Sequence, residues 1–522
     1  MHQRAGVIRL SSLGGTTMTR DKALVQIEEM DRQLVMLEHI GSVLSWDQEI
    51  AASKKGLDER ASQMGWISSQ AHELACGEQM GEALSALGAD RQHPEGSGAD
   101  DFEKALIRIR FRAWDKNRSM STELVRKISE TASRAHDHWV EARNQNDWDV
   151  FKPDLQEVLE LAKEKAECYK REGSSLYDGL LDDFEEGMKA SQVTTLFASI
   201  KPRLVDLVQK LSEKQVDDSF LRMDYPVDKQ EAFAKLVLDD MGFDFSRGSR
   251  AVSVHPFTST LGCDDIRITT RYTDPSVMDS FSSTVHEGGH ALYEMGASWG
   301  RQKGTSISNG ASFGMHESQS RLWENMIGKN ENFWIHYYPM FKEIFPSQTD
   351  GISLDRFVKA INKVEPGCIR VNADEVGYSL HIMLRFELEQ DMFSGKISLD
   401  DLPSAWNEKS REMLGIVPKT FAEGVLQDVH WSSGDFGYFP TYALGNLYGA
   451  QIWERMRSEM DVDALLKRGK LGEIGSFLDT HVYKKGSLYK SSDLLGQVTG
   501  KPLDATIFSR YLEDKFSCLF GC

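Results

Sequence analysis

From Asp21 to about Trp46 the apolar residues Leu24, Ile27, Met30, Leu34, Leu37, Ile40 and Val43 fall three or four positions apart. That spacing lays a single stripe along an α-helix. The same period predicts helices over about 61–87, 101–115, 121–145, 154–171 and 190–214, joined by short polar connections. The segment Ala89–Ala99, rich in Gly, His, Pro and Asp, breaks the period and reads as a mobile loop. Near Ala251 the pattern changes. AVSVHPF and DIRITTRY are short and β-branched, and with the turn-like TSTLGCD between them they predict a small antiparallel hairpin. Helices resume at Pro275, with Asp274 as N-cap and proline at the first helical position, and they dominate to the end. The expected fold class is mainly α, with one small β element.

Composition narrows the function. With 522 residues, 40% of them hydrophobic, the chain can bury a large core. A net charge of −19, from 61 basic and 80 acidic residues, argues against a nucleic-acid binder, which must displace counterions from phosphates, and against a basic membrane-surface protein. No run of about 18 apolar residues occurs, so no membrane partner or transmembrane span is expected. Cys76, Cys168, Cys263, Cys368, Cys518 and Cys522 are scattered and read as reduced thiols of a cytoplasmic protein. Residues 1–20 hold three arginines and no acid. They are expected to be a disordered extension, with Met18 a candidate start; a mitochondrial or other organellar transit peptide is the alternative. The remainder, 21–522, divides into a helical part (about 21–250), a part carrying the chemistry (about 251–445) and closing helices (about 446–522).

The chemistry starts in FSSTVHEGGHALYEMG. On a helix His286 and His290, four apart, lie one above the other and can reach one cation. Glu287 stands about 100° round from His286, placed to hold a water without coordinating. This is the H-E-x-x-H arrangement of zinc peptidases. Val277, Phe281, Val285 and Leu292 form a separate apolar stripe for the core. A catalytic zinc has three protein ligands and an open position. MHESQSRLWEN offers His316, Glu317 and Glu324; Glu317, 31 residues beyond His286, is the chosen third ligand. Glu324 is expected to pair with a base or face solvent, and His316 is the fallback, or a supporting residue.

With these residues in view the sequence resembles the thermostable (Taq-type) metallocarboxypeptidase family of Thermus and the trypanosomatids. The resemblance runs from about residue 21 to about 515. It rests on HPF (255–257), DIRIT (265–269), HEGGH (286–290), HESQ (316–319), IRVNAD (369–374) and GVLQDVHW (424–431), with SWDQE and GYFPTYALGNLY alongside. It implies a helical, saddle-shaped single body with a deep groove, usually a homodimer. The activity implied is removal of single residues from peptide C-termini. One zinc per subunit is implied, with Co2+ or Mn2+ able to take its place, held by His286, His290 and Glu317, with Glu287 as base.

Around the metal, DIRITTRY alternates so that Asp265, Arg267 and Thr269 share a face. As an edge strand it could pair with substrate, Arg267 pointing at the peptide; a plain Arg267–Asp265 pair is the other reading of the spacing. Arg370 is the leading anchor for a terminal carboxylate, because a guanidinium fork matches two oxygens, with Arg267 its partner or rival. Asp374 stands either as a helix cap or in the site. Gln427 is a substrate-binding candidate, and His255 either lines the groove or closes the hairpin. His430, Tyr438 and Tyr442 are candidates to stabilise the oxyanion, His430 steered by Asp428. Two alternatives remain: a zinc endopeptidase or dipeptidase on the same scaffold, and a helical scaffold with a structural metal. The second is disfavoured, since no cysteine stands near the ligands to close the site.

Overall fold

A computed structural model describes residues 18–272 and 276–521. Residues 1–17, the Asp274–Pro275 helix start and Cys522 lie outside it. Among the described residues nine α-helices precede the sheet: α1 (Arg20–Ile50), α2 (Leu57–Cys76), α3 (Glu78–Ala86), α4 (Asp101–Ser119), α5 (Thr122–Gln145), α6 (Trp148–Tyr169), α7 (Leu176–Phe184), α8 (Ala190–Ser212) and α9 (Val227–Met241). Each expected helix is present, with one split. The stretch 61–87 breaks at Gly77, whose extended backbone ends α2 and starts α3. The Ala89–Ala99 connection is a loop, tied back where the Ser97 amide donates to Leu87 O at 2.8 Å.

The β element departs from the expected hairpin. Strands β1 (Gly248–Val252), β2 (Thr258–Gly262) and β3 (Asp265–Thr270) form one sheet in the order β1-β3-β2, parallel between β1 and β3 and antiparallel between β3 and β2. DIRIT is therefore the central strand, not an edge. Its antiparallel partner is the TSTLG that composition alone reads as a turn. SVHPF leaves the sheet, and its Pro256 carries no amide to donate to a ladder. The alternating threonines of β2 stay because Thr258 and Thr260 find partners on the helix that follows.

That helix is α10 (Val277–Ala297), opened by Ser276, whose hydroxyl accepts from the Met278 amide. Beyond it come α11 (Phe313–Arg321), a π-helical turn (Leu322–Ile327), α12 (Glu331–Ile344), α13 (Leu354–Ile361), α14 (Tyr378–Phe393), α15 (Leu402–Leu414), α16 (His430–Ser433), α17 (Phe439–Glu459), α18 (Val462–Lys467), α19 (Leu471–His481), α20 (Ser491–Thr499) and α21 (Thr506–Phe520). The architecture is mainly α with one three-stranded sheet. Val277, Phe281, Val285 and Leu292 are all buried, as their stripe requires. A smaller apolar core gathers α1, α3 and α4; a much larger one takes in α10, α11, α14 and α17.

Two glycines set the spacing of the central helices. A Cβ on Gly289 of α10 would stand 2.8 Å from both the Gln319 carbonyl oxygen and the Ser320 Cα of α11. A Cβ on Gly445 of α17 would meet Glu317 Cγ at 2.7 Å and Cβ at 2.8 Å. Helix α11 is thus wedged between α10 and α17 at distances only a missing side chain permits.

Candidate active site

The wedge brings the expected ligands together. One donor atom each from His286, His290 and Glu317 lies within 4.8 Å of the other two, and Glu317 Oε2 stands 3.7 Å from His286 Nε2 and 3.4 Å from His290 Nε2. Both imidazoles are oriented from behind. His286 Nδ1 donates to Glu324 Oε2 at 2.9 Å. His316 Nε2 donates to Glu294 Oε1 at 2.6 Å, which leaves His316 Nδ1 to accept from His290 Nδ1 at 2.5 Å. This arrangement turns the Nε2 of both histidines toward Glu317 Oε2, the tautomer in which each could offer a lone pair to a cation. Thr260 Oγ1 adds a 3.3 Å contact to Glu294.

Glu317 is fastened as firmly. Its Oε1 accepts from Arg321 Nε at 2.7 Å and its Oε2 from Ser320 Oγ at 3.1 Å. Burial would raise its pKa, but Arg321 and His286 outweigh burial and hold it well below the usual carboxylate range. Arg321 also reaches Glu324 at 3.3 Å. Against burial, Arg321 and His286 bring Glu324 down to about 2. Burial, then His316, lowers His290 to about 3, so it is neutral at pH 7. The four carboxylates of Glu287, Glu294, Glu317 and Glu324 face two cations, Arg321 and Lys329, the latter 4.0 Å from Glu324. The donor set, two imidazole nitrogens and one carboxylate oxygen, suits a divalent cation.

Glu287 is buried beside the ligands, and its Oε2 accepts from Thr258 Oγ1 at 2.6 Å. Burial raises its pKa; His286 and the Thr258 hydroxyl oppose the rise. It makes no contact that would place it in the ligand triad.

A second cluster lies past α11. The Arg321 guanidinium sits 4.0 Å over the Tyr378 ring, and Tyr378 OH accepts from Arg370 Nη1 at 3.1 Å. Arg370 is buried. Its Nε and Nη2 lie 2.9 Å from Asp428 Oδ1, and its guanidinium stands 4.9 Å over Tyr442. Arg385 of α14, wholly buried, takes the other oxygen of Asp428 at 2.6 Å and donates to His381 O at 2.7 Å. Asp428 is thus turned to two arginines and not to His430, whose buried Nδ1 has no hydrogen-bond partner among the described residues. Burial lowers His430 to about 4, so its ring is neutral at pH 7, and its Nε2 stands 3.5 Å from Tyr442 OH. The His430 ring packs 5.3 Å from Tyr438.

The other expected residues are placed as follows. Arg267 forms a bidentate pair with Asp265 at 2.8 and 2.7 Å and stacks 5.5 Å over Trp46 of α1. His255 is exposed in the β1–β2 connection, where its carbonyl accepts from Ser253. Every polar atom of Gln427 is engaged with backbone, its Oε1 accepting the Arg370 amide at 2.9 Å. Asp374 caps the turn into α14, accepting from the Val376 and Gly377 amides. Sequence reasoning missed Thr258, Glu294, Arg321, Tyr378 and Arg385. Glu294 and Arg321 carried a signal, each four residues beyond an expected ligand; Arg385, an arginine inside an apolar helix, carried a weaker one.

Residues 26–516 match the family model described as Carboxypeptidase Taq (M32) metallopeptidase. The chain belongs to that family. It is 39% identical to thermostable carboxypeptidase 1 of Thermus thermophilus over 97% of this chain and all of that one. It is 37% identical to carboxypeptidase 1 of Bacillus subtilis over 92% and 95% of the two chains. Among solved structures, metallocarboxypeptidase 1 of Trypanosoma cruzi superposes with a TM-score of 0.88 at 31% identity, over 95% of this chain and 99% of that one. The M32 carboxypeptidase of Deinococcus radiodurans superposes with a TM-score of 0.90 at 32% identity, over 96% and 100%. This M32 protein is a metallocarboxypeptidase, a peptide hydrolase. Among its described residues no helix is long and apolar enough to cross a membrane.

Proposed function

We propose that this enzyme releases single amino acids from peptide C-termini, with zinc held by His286, His290 and Glu317 and with Glu287 as general base. Bound there, the ion supplies Lewis acidity, lowering the pKa of a water and polarising the scissile carbonyl. Glu287 takes the proton from the attacking water at Oε1, the oxygen Thr258 leaves free, and passes it to the departing amine. His430, Tyr438 and Tyr442 line the same side as Arg370. The phenols of Tyr438 and Tyr442 supply O–H donors to developing negative charge.

The observation that carries the exopeptidase reading is the charge of the second cluster. Arg370 and Arg385 share the single carboxylate of Asp428, so buried positive charge exceeds negative by one. Glu389, also on α14, is turned to Tyr177, Trp431 and the Gly437 amide, and burial pushes it up to about 7. A guanidinium has five N–H bonds; three of those on Arg370 face Asp428 and Tyr378, which leaves two for a guest. The terminal carboxylate of a peptide fits both the charge and the fork. Arg267, bound to its own aspartate on the central strand, is the lesser candidate.

Arg370→Ala is expected to lower kcat/KM for free-acid peptides by roughly one to two orders of magnitude, the worth of a charge-assisted contact. Arg370→Lys recovers part of the loss, since it keeps charge but not the fork. C-terminally amidated peptides should be poor substrates for the native enzyme and little changed by either substitution. Equal slowing of both substrate types would assign Arg370 to structure and leave the endopeptidase or dipeptidase reading standing.

We further propose a homodimer, as the family resemblance implies. Sedimentation at micromolar concentration should give twice the 58.9 kDa chain mass. An active species at the single-chain mass would remove the dimer without touching the chemistry.

A further inference from the structure

Phe313 is 51% exposed although it opens a helix that is otherwise largely buried. It is not alone. Its ring lies 5.7 Å from Phe184 and 5.5 Å from Tyr438, and Phe184 lies 5.0 Å from Tyr438, with interplanar angles of 81°, 72° and 89°. Three edge-to-face contacts among three rings make a rigid cup, the arrangement aromatic quadrupoles favour. The rings come from three separate segments: the end of α7, the start of α11 and the residue leading into α17. A large ring left half in water next to the candidate centre is the kind of apolar surface that marks a binding site.

Its position limits what it can bind. Phe313 precedes the ligand Glu317 by one turn, about 6 Å along the axis of α11. Tyr438 precedes Tyr442 by one turn of α17; their rings are 5.1 Å apart, and Tyr442 is the ring under Arg370. One aromatic wall therefore runs from the cup to the carboxylate anchor. In a peptide the C-terminal carboxylate and the last side chain leave the same Cα. If the first sits on Arg370, the second is delivered to the neighbouring wall.

We propose that Phe184, Phe313 and Tyr438 form the subsite for the side chain of the C-terminal residue, and that it selects aromatic and large aliphatic residues over small and acidic ones. This rests on the exopeptidase reading above. The cup offers ring faces and edges. A carboxylate placed there would lose hydration with no cation among the three rings to replace it.

The test uses the full-length, metal-loaded enzyme and acyl-blocked dipeptides that vary either the last or the penultimate residue. The native enzyme should favour C-terminal Phe and Leu over Ala, and Ala over Asp. Phe313→Ala should lower kcat/KM for Phe-ended substrates roughly three- to tenfold more than for Ala-ended ones, the scale of one lost aromatic contact. Phe313→Leu should restore much of the Leu preference, and Phe184→Ala should act in the same direction as Phe313→Ala. Metal content and melting temperature of each variant show whether the centre is intact, and kcat/KM ratios within one variant cancel any loss of folded protein. Unchanged ratios would overturn the proposal, as would ratios that change only with the penultimate residue. Failure of the exopeptidase reading looks different: amidated and free-acid peptides would be cleaved alike by the native enzyme, whatever the cup prefers.

Discussion

Glu287→Gln should reduce turnover by roughly two to four orders of magnitude, the usual worth of a positioned general base, while metal content stays at one ion per chain. The two halves of this result have separate causes. Glu287 is buried beside the triad but outside it, so on the proposed mechanism its charge serves proton transfer and not coordination. Glutamine keeps the volume and keeps a carbonyl oxygen for the Thr258 hydroxyl, so the side chain has no reason to leave its place. It lacks only the basic oxygen. Metal analysis of the purified variant beside peptide hydrolysis reads both halves. Stoichiometric metal with full activity would remove Glu287 from its role, and an empty site would make it a ligand.

Glu317→Ala should empty the site, whereas Glu324→Ala should weaken it by about 10- to 100-fold and leave it loadable at high metal concentration. The carboxylates stand seven residues apart on one helical run, and both touch Arg321. Only Glu317 faces both imidazole Nε2 atoms; Glu324 touches His286 on the far side of the ring, at Nδ1. Losing Glu324 frees the tautomer of one histidine, while losing Glu317 removes a ligand. Because a metal that binds only the folded chain raises its stability by mass action, adding zinc should raise the melting temperature of the native enzyme and of Glu324→Ala, but not of Glu317→Ala. If the two variants exchange these behaviours, the third ligand is Glu324.

Much of this was legible in the sequence, and the reason is geometric. Helical period follows from 3.6 residues per turn, so the stripe of α10 and the His286–His290 pair could be read without a structure. The stripe of α1 shows where such reading stops. Leu24, Ile27, Met30 and Leu34 are buried as expected, but Ile40 and Val43 are 41% and 46% exposed. Periodicity says which residues share a face, and only the tertiary partner decides whether the face is covered. The β element failed for a related cause. Thr258–Gly262 has the composition of a turn, and it is a strand because Thr258 and Thr260 bond to Glu287 and Glu294 of α10. The Arg370–Asp428–Arg385 cluster joins residues 58 and 43 positions apart, beyond any local pattern. Asp428 stands two residues before His430, which made the histidine its natural partner on paper; two guanidinium groups compete for it in space.

The wedge of α11 between Gly289 and Gly445 carries a lesson for anyone redesigning the enzyme. Side chains at those two positions would press on main chain or on the Glu317 side chain, so the distance between His290 and Glu317 is set by helix backbones and not by adjustable packing. The centre is consequently stiff on its coordinating side, and its tunable side is the open aromatic cup one turn away. Directed evolution toward new substrates should accumulate changes around Phe313 and spare the two glycines. A related sequence that keeps both histidines but bears a larger residue in place of Gly445 has no room for a glutamate at this height, and on the proposed ligand set it should be inactive.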